Sequence, residues 1–314
     1  MKGLLKGKPA GTQLLILISI ALLSLFILGL AGTMILSAMT GINITEISEP
    51  AKWDMSKPGF LGFLRGMQVV QFIALFLIPT FLCARLFSTD TNKYLGLKKP
   101  STAVYFLVAT AAFLLAIPLV SWLGEINKSI DIPGEIGKWM KQKEDEIAIQ
   151  QKALLSRHTI KDLILNIVCI AGLAAIGEEL LFRGIAQRLL IKIFKSPLAG
   201  IIVAAFLFSA MHLQFYGFFP RFVLGILLGL IYWYSGSLWV PILAHFMYDA
   251  VLVTLLYFNP SMANEDTPVP AANIALMAAA SFLAIVGLVG WMKKRSTVTY
   301  QEVYVDDAVP DHPF

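Results

Sequence analysis

Apolar and polar positions fall in long blocks along this chain rather than in the short alternations of a soluble domain. Crossing about 30 Å of hydrocarbon takes about 20 apolar residues in a helix. Runs that approach this length occupy residues 14–39, 66–86, 102–123, a stretch starting near 163, then 197–213, 217–234, 238–258 and 274–292. The largely apolar stretch through 217–258 is too long for one crossing, and Ser235-Gly236-Ser237 with Pro241 punctuates it, so we divide it there. The pattern predicts an all-α polytopic membrane protein with about eight transmembrane helices in one bundle.

The same pattern divides the chain into regions. Residues 1–124 hold the first three transmembrane helices and 125–162 a soluble or amphipathic connector. Residues 163–258 form a core of helices four to seven, 259–295 the last loop and eighth helix, and 296–314 a polar tail. Within the connector, Trp139, Ile147 and Leu154 lie at helical spacing among Lys, Glu and Gln. Such a helix either lies on the membrane surface or links spans through solvent. The tail, with Asp306, Asp307 and late prolines, reads as disordered.

Composition agrees: 57% of residues are hydrophobic and 14% charged, against about 25% charged in soluble domains. The formal charge of +5 does not point to nucleic acid, because the basic residues cluster beside apolar runs, where they set topology. The clusters are Lys2, Lys6 and Lys8; Arg85, Lys93, Lys98 and Lys99; Arg183, Arg188, Lys192 and Lys195; and Lys293, Lys294 and Arg295. With eight spans all four fall on one side, which places both termini in the cytoplasm. The opposite side carries Glu265-Asp266 and the connector. No charge separates Lys8 from Glu46, a stretch longer than a cleaved signal's apolar core, so the first run reads as a retained signal anchor. Cys83 and Cys169 sit inside apolar runs and read as packing residues.

The chemistry concentrates in Ile176-Gly177-Glu178-Glu179-Leu180-Leu181-Phe182-Arg183. An ionised group at mid-bilayer costs about 2.5–3.5 kcal/mol on insertion scales. The uncharged run from Leu163 to Gly177 spans only about 22 Å as a helix, so both carboxylates lie at membrane depth. Arg183 is four residues beyond Glu179 and can pair with it on one helix face, while Glu178 points about 100° away. A plain Glu179–Arg183 lock is the simpler reading, but it leaves Glu178 without a partner. His212 and His245 each lie in an apolar run, and Asp249 is four residues beyond His245. A lone intramembrane histidine is more often a hydrogen-bonded core residue than a ligand, but these polar groups together suggest an interior site. Glu178, His212 and His245 could ligate zinc or another divalent metal, or Glu178 could act as a metal-free base on water. His158 in the connector and His312 in the tail read as bystanders. Asn166, Gln68 and Gln71 read as interhelical hydrogen-bonding residues, and Gly225 with Gly229 as a close-packing face. With the spans as drawn, His245 lies about 10 Å and His212 about 22 Å from the basic side, two levels that a common site would have to reconcile.

Glu178-Glu179-x-x-x-Arg183, Phe208-x-x-x-His212 and His245-x-x-x-Asp249, each on its own predicted span, resemble the CPBP family. This is the group of CAAX prenyl endopeptidases, bacteriocin-processing proteases and bacteriocin self-immunity (Abi) proteins. The resemblance covers roughly residues 163–258. It implies an eight-helix intramembrane endopeptidase in a bacterial inner or plasma membrane, acting on a membrane-associated protein or a leader peptide. Its implied catalytic set is Glu178, Glu179, Arg183, His212, His245 and Asp249. Glu178 would be the base, His212 would position the water, His245 and Asp249 would stabilise the oxyanion or complete a metal shell, and Glu179 with Arg183 would fix the helix. Many members carry Asn at the last motif position, where this chain has Asp249. Two other classes stand beside this reading: a non-catalytic immunity or scaffold protein of the same family, and a proton-coupled transporter. No internal repeat supports the transporter.

Overall fold

A computed structural model describes residues 2–47, 50, 53–260 and 271–299 of the protein. The Glu265-Asp266 loop, Asp306, Asp307 and His312 lie outside the described residues, as does most of the tail. The long helices are α1 (Ala10–Thr40), α2 (Phe60–Phe87), α3 (Val104–Lys128), α4 (Gly134–Leu154), α5 (Ile160–Phe194), α6 (Pro197–Met211), α7 (Phe218–Ser235), α8 (Trp239–Phe258) and α9 (Asn273–Arg295). Among the described residues, seven of these are long and apolar enough to cross a membrane. The expected fifth span is instead α6, of 15 residues, about 22 Å long and short of a full crossing. Large side chains such as Phe26 on α1 (70% exposed) and Leu283 on α9 (69% exposed) face outward. Such patches belong against lipid, not water.

One end of the bundle gathers the basic segments. The Gly3 and Leu5 amides donate to the Arg85 and Leu86 carbonyls at 2.9 and 2.8 Å. The Leu238 amide donates to Gly96 at 2.9 Å, and the Ser237 hydroxyl donates to the Lys98 carbonyl at 2.5 Å. The segment before α1, the α2–α3 loop and the α7–α8 turn are therefore at one level. Two members of the expected basic clusters, both on α5, are sunk into the bundle. Arg183 and Arg188 are buried, and Arg188 donates to the Tyr94 carbonyl at 3.1 Å with its guanidinium 4.4 Å from the Tyr94 ring centroid. The helix carrying them does not end near Gly177 but continues to Phe194, so both arginines are structural groups rather than topology signals.

That continuation also reconciles the levels of the two histidines. Helix α5 has 35 residues, about 52 Å, well beyond the hydrocarbon thickness. About 24 Å of helix separates Glu178 from Phe194. The chain then reverses at Lys195, in the left-handed region at φ 50°, and Ser196 caps α6 by accepting from the Ala199 amide at 3.3 Å. About 22 Å of α6 returns His212 to the level of Glu178. The turn before α8 is sunk into the protein, with Ser235, Ser237 and Leu238 buried. The start of α8 is thus not a membrane surface, and His245 lies deeper than span counting implies.

Packing ties these elements into one core. Phe76 and Cys83 of α2, Leu180 to Leu189 of α5, Phe208 of α6, Tyr232 of α7 and Ile242 of α8 share a single buried cluster. A second cluster joins α3, α7, α8 and α9 through Phe113, Leu228, Tyr248 and Met292. At the end opposite the basic segments, Leu154 of α4 packs with Ile42, Phe60 and Phe63. The α4 stripe therefore turns inward at Leu154, while Trp139 is partly exposed against Phe215. Asn166 binds across helices as expected: its oxygen accepts from Arg65 at 3.0–3.1 Å and its amide donates to the Leu154 carbonyl at 3.0 Å. Arg65 also pairs with Asp162 at 2.9 Å.

Asn166 joins α2, α4 and α5 at one point. Replacing it with Ala leaves the Leu154 carbonyl and part of the Arg65 guanidinium without these partners, a loss of about 1–3 kcal/mol. We expect N166A to unfold at lower temperature in detergent, as read by thermal shift, with the α4 end becoming more susceptible to proteolysis.

Candidate active site

Helix α5 supplies the centre of the site. Its backbone widens to a π-turn over Phe182–Ala186, just after the carboxylate pair. Such turns are frequent at functional sites. Glu179 is fully buried, and its Oε1 accepts from Arg183 NH1 at 2.7 Å. The other arm of Arg183 donates to the Gly225 carbonyl on α7 at 2.9 Å. A Cβ on Gly225 would lie 3.0 Å from the Ala205 Cβ. The expected close-packing face is therefore present, and it also brings a main-chain acceptor within reach of a buried cation.

Glu179 has a second contact. Its Oε1 lies 3.2 Å from His245 Nδ1 on α8. A carboxylate accepts but does not donate when ionised, so Nδ1 carries the proton in that bond. The other nitrogen, Nε2, then faces Asp249 Oδ2 at 3.3 Å and Glu178 Oε2 at 3.9 Å. The Oε2 of Glu179 accepts no hydrogen bond among the described residues.

His212 is oriented by its own helix end. Its Nδ1 lies 2.9 Å from the Phe208 carbonyl. A carbonyl only accepts, so Nδ1 again holds the proton and Nε2 points at Glu178 Oε1, 3.7 Å away. Glu178 therefore stands between two imidazoles, with one oxygen toward each. It is nearly buried, whereas His212 and Asp249 are partly open. The Phe208 ring forms a wall shared by the group. Arg183 lies over it at 4.7 Å, and it meets His212 and His245 edge-on at centroid distances of 5.0 and 6.4 Å.

All six residues expected from the motifs converge here: Glu178, Glu179, Arg183, His212, His245 and Asp249. His158 does not join them; its ring packs against Tyr257 and its carbonyl accepts from the Tyr257 hydroxyl at 2.8 Å. Gln187 is a supporting residue that motif reading missed; it is buried one turn beyond Arg183 and donates to the Gly229 carbonyl at 3.2 Å. A polar residue in the apolar continuation of α5 was its signal.

Among the described residues, no group of three or more His, Cys, Asp or Glu is placed to hold a metal ion. Zinc ligands converge on one point at about 2.0–2.2 Å. Here Glu178 is interposed between the imidazoles instead, 3.7 and 3.9 Å from their Nε2 atoms, so the donors as arranged do not fit a zinc shell.

The arrangement makes Arg183 indispensable to the fold of the site. Truncating it leaves Glu179 buried with His245 alone, at a cost of about 3–5 kcal/mol for breaking a buried pair. We expect R183A to lose most of its folded yield. R183K should fold better but unfold below wild type, because a single ammonium replaces the two-armed grip on Glu179 and Gly225. Thermal unfolding of both variants in detergent checks this.

Comparison with known proteins places these residues in context. Residues 160–251 match the family model described as Type II CAAX prenyl endopeptidase Rce1-like. The uncharacterized protein YpbD of Bacillus subtilis (strain 168) is 33% identical over 112 residues, which cover 34% of this chain and 52% of YpbD. The chain thus spans about half the length of that curated relative. No solved structure matches.

Proposed function

We propose, taking residues 160–251 as an Rce1-like domain of the CPBP family, that this integral membrane protein is an intramembrane endopeptidase whose base is Glu178. The observation that carries the reading is the position of Glu178 between two imidazole nitrogens at 3.7 and 3.9 Å. Both gaps exceed a direct hydrogen bond, and both suit a bridging water. Glu178 takes a proton from that water as its oxygen attacks the scissile carbonyl. The unprotonated Nε2 of His212 accepts the water's second hydrogen and aligns it. His245 is held by Glu179 and Asp249, and its Nε2 face is directed at the developing oxyanion. Glu178 then returns its proton to the leaving amine. The Arg183–Glu179 pair takes no proton; it fixes the ring that faces the substrate. The substrate is a peptide segment of a membrane-associated protein or a leader peptide. The positive-inside rule puts the basic end, and both termini, in the cytoplasm of a bacterial cell.

Removing the base should cost about a hundred- to ten-thousand-fold in rate. We expect E178Q to fold as wild type and to lose cleavage of fluorogenic peptides by that factor in proteoliposomes. Wild-type cleavage at undiminished rate by E178Q sinks the assignment. An immunity factor, a scaffold or a transporter would leave every peptide intact with or without the substitution. The same assay with a strong chelator should show no loss, since the donors do not form a zinc shell; loss of activity restored by zinc would show that they rearrange around one.

A further inference from the structure

The connector between α3 and α4 and the loop after His212 enclose a cavity of about 530 Å³ that the mechanism above does not use. Ile130, Ile132, Met140, Phe215, Phe218 and Phe219 give it apolar walls. Two glycines at the start of α4 make it possible. Gly134 lies in the left-handed region at φ 81°, and a Cβ on Gly137 would overlap the Ile132 carbonyl oxygen. The connector can therefore fold back across the first turn of α4 and close one side of the cavity. Asn127 holds the opposite side by donating to the Phe215 carbonyl and accepting from the Phe219 amide, both at 2.8 Å. Trp139 of α4 packs on Phe215 with ring centroids 5.3 Å apart. A built cavity of this size, mostly apolar with a few polar groups, is of the kind that takes a ligand.

Its charged groups indicate which kind. Lys138 and Lys141 line the cavity with one carboxylate, Asp131. Lys138 shares its charge with the exposed Glu135 at 2.7 Å, whereas Lys141 has no ion pair among the described residues. Charge along α4 is segregated in the same sense. Residues 134–143 carry three lysines and one glutamate, and residues 144–154 carry three acids and one lysine. The positive half is the one that lines the cavity. Around it Ile130, Ile132, Ile136 and Trp139 are exposed. Such a patch suits the bilayer surface, with the indole at headgroup level and the lysine stems reaching from apolar surroundings to the phosphates. Apolar walls, lysines at the rim and an interfacial setting are complementary to a molecule with an acyl chain and a negative head.

We propose that this cavity is a binding site for one anionic phospholipid, with its phosphate on Lys138 and Lys141 and an acyl chain against Ile132, Met140, Phe218 and Phe219. Asp131 opposes the charge of the head and weakens the site. The inference does not depend on Glu178 being a base. It gives the connector a task, since a lipid seated there would hold α4 and the loop that follows His212 together at the membrane surface.

The test uses the full chain in phosphatidylcholine vesicles, with phosphatidylglycerol or phosphatidylcholine carrying brominated acyl chains added in equal small amounts. Bromine quenches tryptophan on contact. We expect brominated phosphatidylglycerol to quench at a lower mole fraction than brominated phosphatidylcholine. W139F should remove that excess, because Trp139 lies between two residues that line the cavity, Lys138 and Met140. K138Q/K141Q should raise the mole fraction needed for half of the excess by about fivefold for each lysine, the effect of one basic side chain at an anionic surface. Quenching by phosphatidylcholine should not change, and D131N should lower the phosphatidylglycerol requirement. Equal quenching by the two lipids shows only a lipid annulus and overturns the inference. An excess that survives K138Q/K141Q, or that W139F leaves intact, overturns it as well. Displacement of the brominated lipid by millimolar glycerol phosphate would show a soluble-anion site, and displacement by an apolar peptide would show an extension of the peptide cleft; either result overturns it. If W139F fails to fold, K138Q/K141Q decides alone, since both lysines are exposed and outside the catalytic set. Loss of cleavage in E178Q, or its absence, has no bearing on this result.

Discussion

The structure depends on one buried carboxylate. Glu179 has no exposure to solvent, and its Oε1 accepts from both Arg183 and His245. A buried ion pair adds little net stability over an apolar substitute, but losing one partner is expensive. The pair therefore acts mainly as a specification. Arg183 must also reach the Gly225 carbonyl, so α7 has to approach α5 closely, and the bare Gly225 backbone lets α7 sit tight against Ala205 and Phe208 of α6 at the same point. His245 must present Nδ1 to the same carboxylate, so α8 is fixed in rotation and depth. Three helices take their register from one side chain, and Glu178, one residue earlier on α5, is carried to the opening between the imidazoles.

Helix length does the remaining positioning. A helix matched to the bilayer would leave Glu178 near one face, open to bulk water. Here α5 continues past the carboxylates to Phe194, and α6 returns over nearly the same distance to end at His212. The α6 terminus is thus inside the protein, where its last turn and the following loop need polar partners. Ser209 supplies one by donating to the Phe218 carbonyl at 2.7 Å, and Asn127 supplies others. Ending a helix inside the bundle costs backbone hydrogen bonds that these side chains replace, and the gain is an imidazole at membrane depth with one nitrogen committed and the other free.

Much of this was legible in the chain. Apolar block length located most of the long helices, though not the far end of α5, because the bilayer imposes a length that soluble cores do not. The insertion cost of Glu178, Glu179 and Arg183 makes them stand out in the sequence as a candidate site. The levels of His212 and His245 were not legible, because span counting assumes that each helix begins at a membrane face. The buried turn at Ser235 to Leu238 and the over-long α5 both break that assumption. For the same reason Arg188, expected among the topology charges, is instead buried on α5, and Arg183 serves the Glu179 pair rather than the membrane face. Arg221 and Asn127 carried a signal of the kind that marked Glu178, a polar group at the edge of an apolar run, but no nearby partner in sequence drew attention to them. Their partners, Gln214 and Phe215, meet them only through the fold.

Asp249 bears most directly on how the proposed site divides its labour. An amide at this position could donate to an oxyanion, and an ionised carboxylate cannot. With Asp249 3.3 Å from His245 Nε2 and Glu179 3.2 Å from Nδ1, the ring lies between two acceptors. The donor role therefore shifts onto the imidazole, whose charge the flanking carboxylates balance. Arg183 neutralises Glu179 from the other side, and the alternation of charge runs from Arg183 through Glu179 and His245 to Asp249. Glu178 stands outside that chain, next to the unprotonated face of His212. The separation lets one carboxylate take up a proton without disturbing the pair that fixes the site, which two adjacent acids on one helix could not achieve unless their neighbours differed.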